Sequence, residues 1–143
     1  MSIFDRLHAG IVSRSAEQTQ AVAAEFALAL PLEATVALHG DLGVGKTTFV
    51  QGMALAYGIA EPVTSPTFTL YSLYAGTRLL AHLDAYRLSN AAQMDTLLVE
   101  DFLRSPYCLA IEWPERIPEW IPKEALHLVL GIEPGGHRLS LRA

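Results

Sequence analysis

Cysteine and lysine are scarce in this chain, and each scarcity excludes a class of protein. A single cysteine, Cys108, cannot form an intrachain disulfide, so the fold does not depend on an oxidising compartment. The lysines are Lys46 and Lys123 alone, and the arginines are scattered along a chain whose formal net charge is −5. This charge distribution argues against direct binding of DNA or RNA, so we expect any link to RNA to be indirect and to pass through a partner.

Long uninterrupted hydrophobic runs are also missing. The longest apolar-rich stretch, residues 21–38, is broken by three residues: Glu25, Pro31 and Glu33. It is therefore too short to span a membrane. Charged residues within the first eight positions interrupt the N-terminus before the apolar part of a signal peptide could begin. We expect a cytoplasmic protein that makes no use of a membrane.

Residues 40–47 read Gly-Asp-Leu-Gly-Val-Gly-Lys-Thr and match the phosphate-binding loop pattern G-x-x-x-x-G-K-[ST]. A strand-like run, 34–39, precedes them and a helix-permissive run, 48–57, follows. Glycines let successive backbone N–H groups converge on a polyphosphate. Lys46 is predicted to bind the β- and γ-phosphates, and Thr47 to bind the accompanying Mg²⁺. The predicted nucleotide-binding residues of this loop are Asp41, Leu42, Gly43, Val44, Gly45, Lys46, Thr47 and Thr48.

The remaining patterns predict an α/β fold in one domain, residues 1–143. A chain of 143 residues with 51% hydrophobic residues can bury one core. The other predicted elements are, in chain order, a strand at 9–13, a helix from Ser15 to about Leu30, a hairpin of 67–74 with 78–83, a helix covering much of 91–104, a strand at 107–111 and a closing hairpin of 125–130 with 137–141. This order predicts a mixed central β-sheet flanked by helices, parallel in its centre and antiparallel towards an edge.

Two carboxylates follow strand-like runs, and both are candidate metal ligands and catalytic residues. Asp84 follows the run 79–83, and Glu112 follows 108–111. The carboxyl ends of parallel strands are where α/β sheets place their ligands. Asp84, the shorter acid, suits Mg²⁺, and Glu112 can reach further to orient or deprotonate the attacking water. Without the phosphate-binding loop, the same residues would be interpreted as a turn carboxylate and an acid beside a proline turn.

Residues 64–69, Thr-Ser-Pro-Thr-Phe-Thr, place several hydroxyls on a segment that proline stiffens. Such a segment can act as a switch in which Ser65 or Thr67 contacts the γ-phosphate or Mg²⁺ and releases it after hydrolysis. An ordinary polar strand entry fits the residues equally well. Arg87 could neutralise charge that develops on the phosphoryl group, or pair with a surface acid.

Four motifs coincide in order and spacing: GDLGVGKTT at 40–48, SPTFTL at 65–70, HLDAYRL at 82–88 and IEWPE at 111–115. Together they resemble the bacterial TsaE family, also called YjeE, and the resemblance covers most of the chain. It implies a P-loop NTPase fold and a cytoplasmic ATPase of tRNA threonylcarbamoyladenosine biosynthesis, weak alone, that binds ATP and Mg²⁺.

The resemblance also implies partners and residue roles. The family docks on the TsaB–TsaD complex, in which TsaD transfers the threonylcarbamoyl group to adenosine 37 of tRNA, so contact with tRNA would be indirect. By position, Lys46 and Thr47 match the phosphate and magnesium residues, Asp84 the metal carboxylate and Glu112 the catalytic or switch glutamate. The family's adenine contacts lie partly in the N-terminal region, where Thr19 is a weak match.

Two other functions stay open on the sequence alone. A small-molecule P-loop kinase would need a lid with clustered arginines, which a short chain with dispersed arginines does not offer. A nucleotide-gated binding module, in which ATP orders a docking surface and hydrolysis is incidental, fits about as well as an enzyme. A GTPase is disfavoured, because the only asparagine, Asn90, precedes Ala91 and not the lysine of an N-K-x-D motif.

Overall fold

The computed structural model describes residues 1–41, 45–64, 70–97 and 99–142, without the side chains of residues 96 and 97. The strands are β1 (Ile11–Ser13), β2 (Glu33–His39), β3 (Tyr71–Ala75), β4 (Leu79–Asp84), β5 (Tyr107–Glu112), β6 (Leu126–Glu133) and β7 (Gly136–Leu141). The helices are α1 (Ile3–Ala9), α2 (Ala16–Ala29), α3 (Lys46–Ala56) and α4 (Met94–Leu97). The seven strands form one sheet in the order β1-β7-β6-β2-β5-β4-β3.

The centre of the sheet is parallel, because β6, β2, β5 and β4 run in the same direction. The mixed α/β architecture is therefore confirmed. Antiparallel pairing occurs at both edges of the sheet: β3 pairs with β4 at one edge, and β7 pairs with β6 and β1 at the other. The sequence predicted antiparallel pairing towards one edge. Strand β2 lies between two strands that follow it in the chain, β5 and β6. The carboxyl end of β2 is thus flanked by two further parallel strand ends, where a ligand site forms in such sheets.

One predicted element differs from what is observed, and one observed helix was not predicted. The segment 91–104 is not one helix: a 3₁₀ turn at Ala91–Gln93, the short α4 and a 3₁₀ turn at Val99–Phe102 follow one another. The Asn90 side chain makes no capping hydrogen bond, so the start of a longer helix is not stabilised. Helix α1 was not predicted, although Ser2 and Asp5 form a reciprocal capping box at its start.

Helices α2 and α3 pack closely on one face of the sheet. A methyl group at Gly52 would lie 2.5 Å from the carbonyl oxygen of Gln20, so the crossing tolerates only glycine there. The rings of Phe26 and Phe49 meet edge to face, and the buried Tyr57 hydroxyl donates to the Ala27 carbonyl at 3.0 Å. These contacts fix α3 on the sheet, and with it Lys46 at the first residue of that helix.

The sheet separates two hydrophobic cores. One core lies under the helices α1, α2 and α3, and the other lies under the segment that follows β4, around Leu83, Ile111 and Ile117. In β4 and β5 the even-numbered positions face the helix side and the odd-numbered positions face the other core. No helix among the described residues has both the length and the apolar character that crossing a membrane requires.

Candidate nucleotide-binding site

The predicted phosphate-binding loop, residues 40–47, begins directly after β2 and ends at the first turn of α3. Gly45, the N-cap of α3, has φ +93°, a conformation that side chains strongly disfavour. The Phe49 N–H then donates to the Gly45 carbonyl at 3.0 Å, which starts the helix. The predicted loop residues Leu42, Gly43 and Val44 lie outside the described residues. The side chain of Lys46, the first residue of α3, reaches back to the Gly40 carbonyl, so the helix begins close to the carboxyl end of β2. The N–H groups of a helix N-terminus favour an anion there.

Lys46 is a buried cation, with only 5% of the residue exposed. Its ammonium donates to the Gly40 carbonyl at 2.6 Å and lies 3.8 Å from the centre of the Trp113 ring. Burial lowers the pKa of Lys46, while the nearby carboxylates of Glu112, Glu115, Asp84 and Asp41 act to raise it. An ammonium in this environment gains from any anion that approaches it, and a phosphate would be such an anion.

Asp84 and Glu112 end the neighbouring strands β4 and β5, and the register of the sheet pairs them directly. Burial raises the pKa of Asp84, and the charge of Glu112 raises it further, whereas the Tyr86 N–H, which donates to Oδ1 at 2.9 Å, lowers it. Two carboxylates that destabilise one another's charge are stabilised by a cation between them. The structure thus places both predicted acids at the carboxyl edge of the sheet, in the electrostatic field of Lys46.

The donor set fits a hydrated Mg²⁺. Within the described ranges, no group of three or more His, Cys, Asp or Glu side chains could hold a metal ion by itself. A dedicated protein cage is not what Mg²⁺ uses with nucleotides, because it keeps several waters and takes one or two protein oxygens together with phosphate oxygens. Asp84, which the register pairs with Glu112, offers a carboxylate oxygen of that kind, and Thr47, the second residue of α3, offers a hydroxyl.

Trp113 closes one side of the site, and sequence reasoning missed this contact. Its backbone has φ 59° and ψ 49°, a left-handed conformation that is unusual for a bulky residue. The indole contacts the Lys46 ammonium on one side and the Tyr86 ring, 5.1 Å away between ring centres, on the other. The left-handed backbone at Trp113 thus accompanies the contact between its ring and the Lys46 ammonium.

A cavity of about 400 Å³ lies next to the loop, on the side of β1 and β7. Gly45 and Thr48 line it together with Thr19, which is buried and whose hydroxyl lies 2.6 Å from that of Ser13. Arg14 and His137 complete the wall from the two ends of the chain. The pairing of β1 with β7 brings these two residues together, so no local sequence pattern could have indicated them.

The predicted site residues have the following placements. Lys46, Asp84 and Glu112 share one electrostatic environment, and Thr48 lines the adjoining cavity. Asp41 is exposed at the start of the loop, close enough for its charge to act on Lys46. Ser65 and Thr67 lie outside the described residues, so the switch hypothesis stays a prediction. The Arg87 side chain is exposed, and its role as an arginine finger stays a hypothesis.

His39, the last residue of β2, forms a second polar cluster below the loop. Its Nε2 lies 2.8 Å from Nδ1 of His127, and its Nδ1 lies 3.8 Å from a carboxylate oxygen of Glu115. Burial and the nearby charge of Arg142 lower the pKa of His39 to about 4, against the opposing effect of Glu115. His39 is therefore neutral in the folded protein at neutral pH.

This cluster predicts a loss of stability on mild acidification. His39 has a pKa of about 4 in the folded protein against 6.5 in an unfolded chain, so between these values the unfolded state binds the additional proton. The contribution of neutral His39 to the free energy of unfolding is therefore fully present above about pH 6.5. It falls as the pH decreases, and about 2 kcal/mol is lost at about pH 5. Urea unfolding at about pH 7.5 and about pH 5 measures the loss. His39→Gln should reduce the pH dependence, whereas the exposed His8→Gln should not, and equal slopes in all three proteins would contradict the prediction.

Comparisons with known proteins bear on the family and on the fold. A family model described as "Threonylcarbamoyl adenosine biosynthesis protein TsaE" matches residues 13–138. A Treponema pallidum protein named tRNA threonylcarbamoyladenosine biosynthesis protein TsaE is 36% identical over 127 residues, which cover 89% of this chain and 94% of the relative. The Bacillus subtilis protein of that name is 40% identical over 115 residues, which cover 80% of this chain and 72% of the relative. The crystal structure of Bacillus subtilis YdiB matches with a TM-score of 0.76 and 31% identity, over 92% of this chain and 82% of that one, and confirms the predicted fold class.

Proposed function

The chain belongs to the TsaE family of tRNA threonylcarbamoyladenosine biosynthesis proteins, and on that premise we propose that it binds ATP with Mg²⁺ and hydrolyses the ATP in support of this tRNA modification. It acts in the cytoplasm, on the TsaB–TsaD complex, and meets tRNA only through that complex. One observation carries the proposal: the buried Lys46 at the start of α3 lies in the field of Asp84 and Glu112, which end two paired strands.

Each residue has a role that its surroundings support. Lys46 binds the β- and γ-phosphates, which replace the Gly40 carbonyl as partner of its ammonium. Thr47 and Asp84 hold Mg²⁺, which when bound neutralises charge on the phosphate oxygens. Glu112 orients the attacking water and accepts its proton. Only 4% of the residue is exposed, so bulk solvent has little access to this carboxylate.

The cavity between the loop and the β1–β7 pair is the place for the adenine base. Its volume of about 400 Å³ is sufficient for a purine, and Gly45 and Thr48 connect it directly to the start of α3. Thr19 contributes to the wall, but its hydroxyl lies within hydrogen-bond distance of Ser13, so it supplies shape more than a free hydrogen-bonding group. Arg14 and His137 are better placed at the open side of the cavity to contact the nucleotide.

Asp84→Asn is expected to raise the Mg²⁺ concentration needed for half-maximal ATP hydrolysis about tenfold, because an amide is a weaker magnesium ligand than a carboxylate. The empty protein should be at least as stable as the unsubstituted chain, since burial and Glu112 raise the pKa of Asp84 and make its charge costly at neutral pH. A Mg²⁺ titration of hydrolysis and a thermal melt without nucleotide test both parts. Asp95→Asn, on α4, is the matched control, and an unchanged magnesium requirement in Asp84→Asn would remove Asp84 from the metal site.

The proposal as a whole is tested by steady-state ATP hydrolysis of the purified chain, alone and then with TsaB–TsaD and tRNA. We expect weak hydrolysis alone and strong stimulation by the partners. Transfer of phosphate to a small metabolite without stimulation by TsaB–TsaD would favour the kinase alternative. Binding of ATP and partners with no hydrolysis in any combination would favour a nucleotide-gated binding module.

A further inference from the structure

His82 is a buried polar residue beside the site to which the proposed mechanism assigns no chemistry of its own. It lies on β4 two residues before Asp84, and its side chain is fully buried. Its Nε2 lies 2.5 Å from Oε2 of Glu112, a residue with only 4% of its surface exposed. The register pairs His82 with Ala110 and Asp84 with Glu112. The His82 ring therefore reaches Glu112 from a position two residues before the one that Glu112 pairs with.

The chemistry of the pair defines which atom carries the proton. An ionised carboxylate only accepts hydrogen bonds, so Nε2 of His82 is the donor to Glu112. The other ring nitrogen, Nδ1, is buried and has no hydrogen-bond partner among the residues that the structure describes. A buried polar atom without a partner costs stability. Packing alone therefore does not account for a histidine at this position. The hydrogen bond that Nε2 donates to Glu112 does.

We propose that His82 is the positioning residue for Glu112: its Nε2–H holds Oε2, so that Oε1 is presented to the attacking water in one orientation. This role rests on the proposed ATPase function. A glutamate has three rotatable side-chain bonds, and a hydrogen bond to one oxygen removes the freedom that would otherwise have to be lost on reaching the transition state. His82 does not contact nucleotide or water itself and acts only through Glu112.

Three substitutions separate this role from packing. His82→Leu keeps an apolar side chain of similar size without a donor, and we expect turnover to fall about tenfold while ATP binding changes less than twofold. In His82→Gln the amide nitrogen can occupy the place of Nε2, so this variant should retain most of the activity. In His82→Asn the amide reaches only as far as Nδ1, so it should behave like His82→Leu. Gln and Asn bury the same group, and equal turnover in these two variants would overturn the proposal.

A double-mutant cycle tests whether the effect passes through Glu112. Because His82 acts on the carboxylate, His82→Leu should lower single-turnover hydrolysis in the unsubstituted chain but have almost no further effect in Glu112→Gln. Additive losses would show that His82 acts elsewhere, and would overturn the proposal. Thermal melts of each variant identify any that fails to fold, in which case the Gln and Asn comparison decides.

An NMR measurement tests the hydrogen bond without reference to activity. The His82 ring should be the Nε2–H tautomer, with a slowly exchanging proton far downfield that shifts in Glu112→Gln. An Nδ1–H tautomer would overturn the proposal even if the chain is an ATPase. Failure of the proposed function has a different signature, which is the absence of ATP hydrolysis by the unsubstituted chain with and without its partners. The positioning role of His82 in hydrolysis would then fall with it, whereas its hydrogen bond to Glu112 would still be seen by NMR.

Discussion

Replacing Lys46 by methionine should weaken ATP binding and turnover at least a hundredfold and leave the empty protein as stable as before, or more stable. The hundredfold loss of ATP affinity corresponds to about 3 kcal/mol of binding free energy. This is the size expected when a desolvated, charge-assisted contact to phosphate is removed. The gain in stability follows from the burial that lowers the pKa of Lys46: a charge on a residue that is only 5% exposed costs stability, and phosphate compensates this cost only in the bound state.

Lys46→Met is the appropriate variant because a methionine can still pack on the Trp113 ring that the lysine now contacts. Lys123→Met is the matched control, since Lys123 is the other lysine of the chain and its side chain is exposed. Equilibrium binding of a fluorescent ATP analogue and urea unfolding without nucleotide provide the two readouts. A folded Lys46→Met protein with unchanged affinity and turnover would contradict the assignment of the phosphate site.

Glu112→Gln should reduce ATP turnover by a factor of about a thousand while nucleotide affinity changes only a few-fold. Removing a general base typically costs between a hundredfold and ten-thousandfold in rate, and Glu112 is not expected to contribute much to ground-state binding. Glutamine keeps an oxygen that can accept from Nε2 of His82, so the buried pair stays satisfied and the fold is preserved.

The control for this variant is Glu119→Gln, because Glu119 is an exposed acid in the 3₁₀ turn Pro118–Trp120, which follows β5. Burst and steady-state hydrolysis give the rate, and a binding titration gives the affinity. If Glu112→Gln stops hydrolysis but still binds TsaB–TsaD and supports formation of threonylcarbamoyladenosine, hydrolysis is dispensable and the protein is a nucleotide-gated module. If Glu112→Gln turns over ATP at the normal rate, Glu112 is not the catalytic base.

The elements that the sequence predicted correctly are those with a strong local pattern. Strand β2 and the β6–β7 hairpin follow from apolar runs bounded by turn residues, and the start of α2 follows from Ser15, whose side chain caps the Gln18 N–H. The segment 91–104 was mispredicted because a few apolar residues at helical spacing do not compensate for a start without a capping hydrogen bond. A local pattern therefore predicts an element well where turn or capping residues in the sequence also mark its two ends.

The site shows the same distinction between local and non-local information. Lys46, Asp84 and Glu112 are recognisable from the sequence because each directly follows a loop or strand with its own pattern. Arg14, His137 and the contact of Trp113 with Lys46 depend on pairing between distant strands and on one left-handed residue. The hydrogen bond of His82 to Glu112 also needs the parallel register of β4 and β5, which no periodicity in either strand specifies.

The burial of Lys46 has a consequence for covalent labelling. Because burial lowers its pKa, this amine is a better nucleophile near neutral pH than an ordinary lysine, yet reagents in bulk solvent have little access to it. An acylating group attached to the terminal phosphate of ATP would be delivered directly to the reactive amine. In a chain with two lysines, mass spectrometry would then assign the modification unambiguously, and unlabelled ATP would protect the same residue.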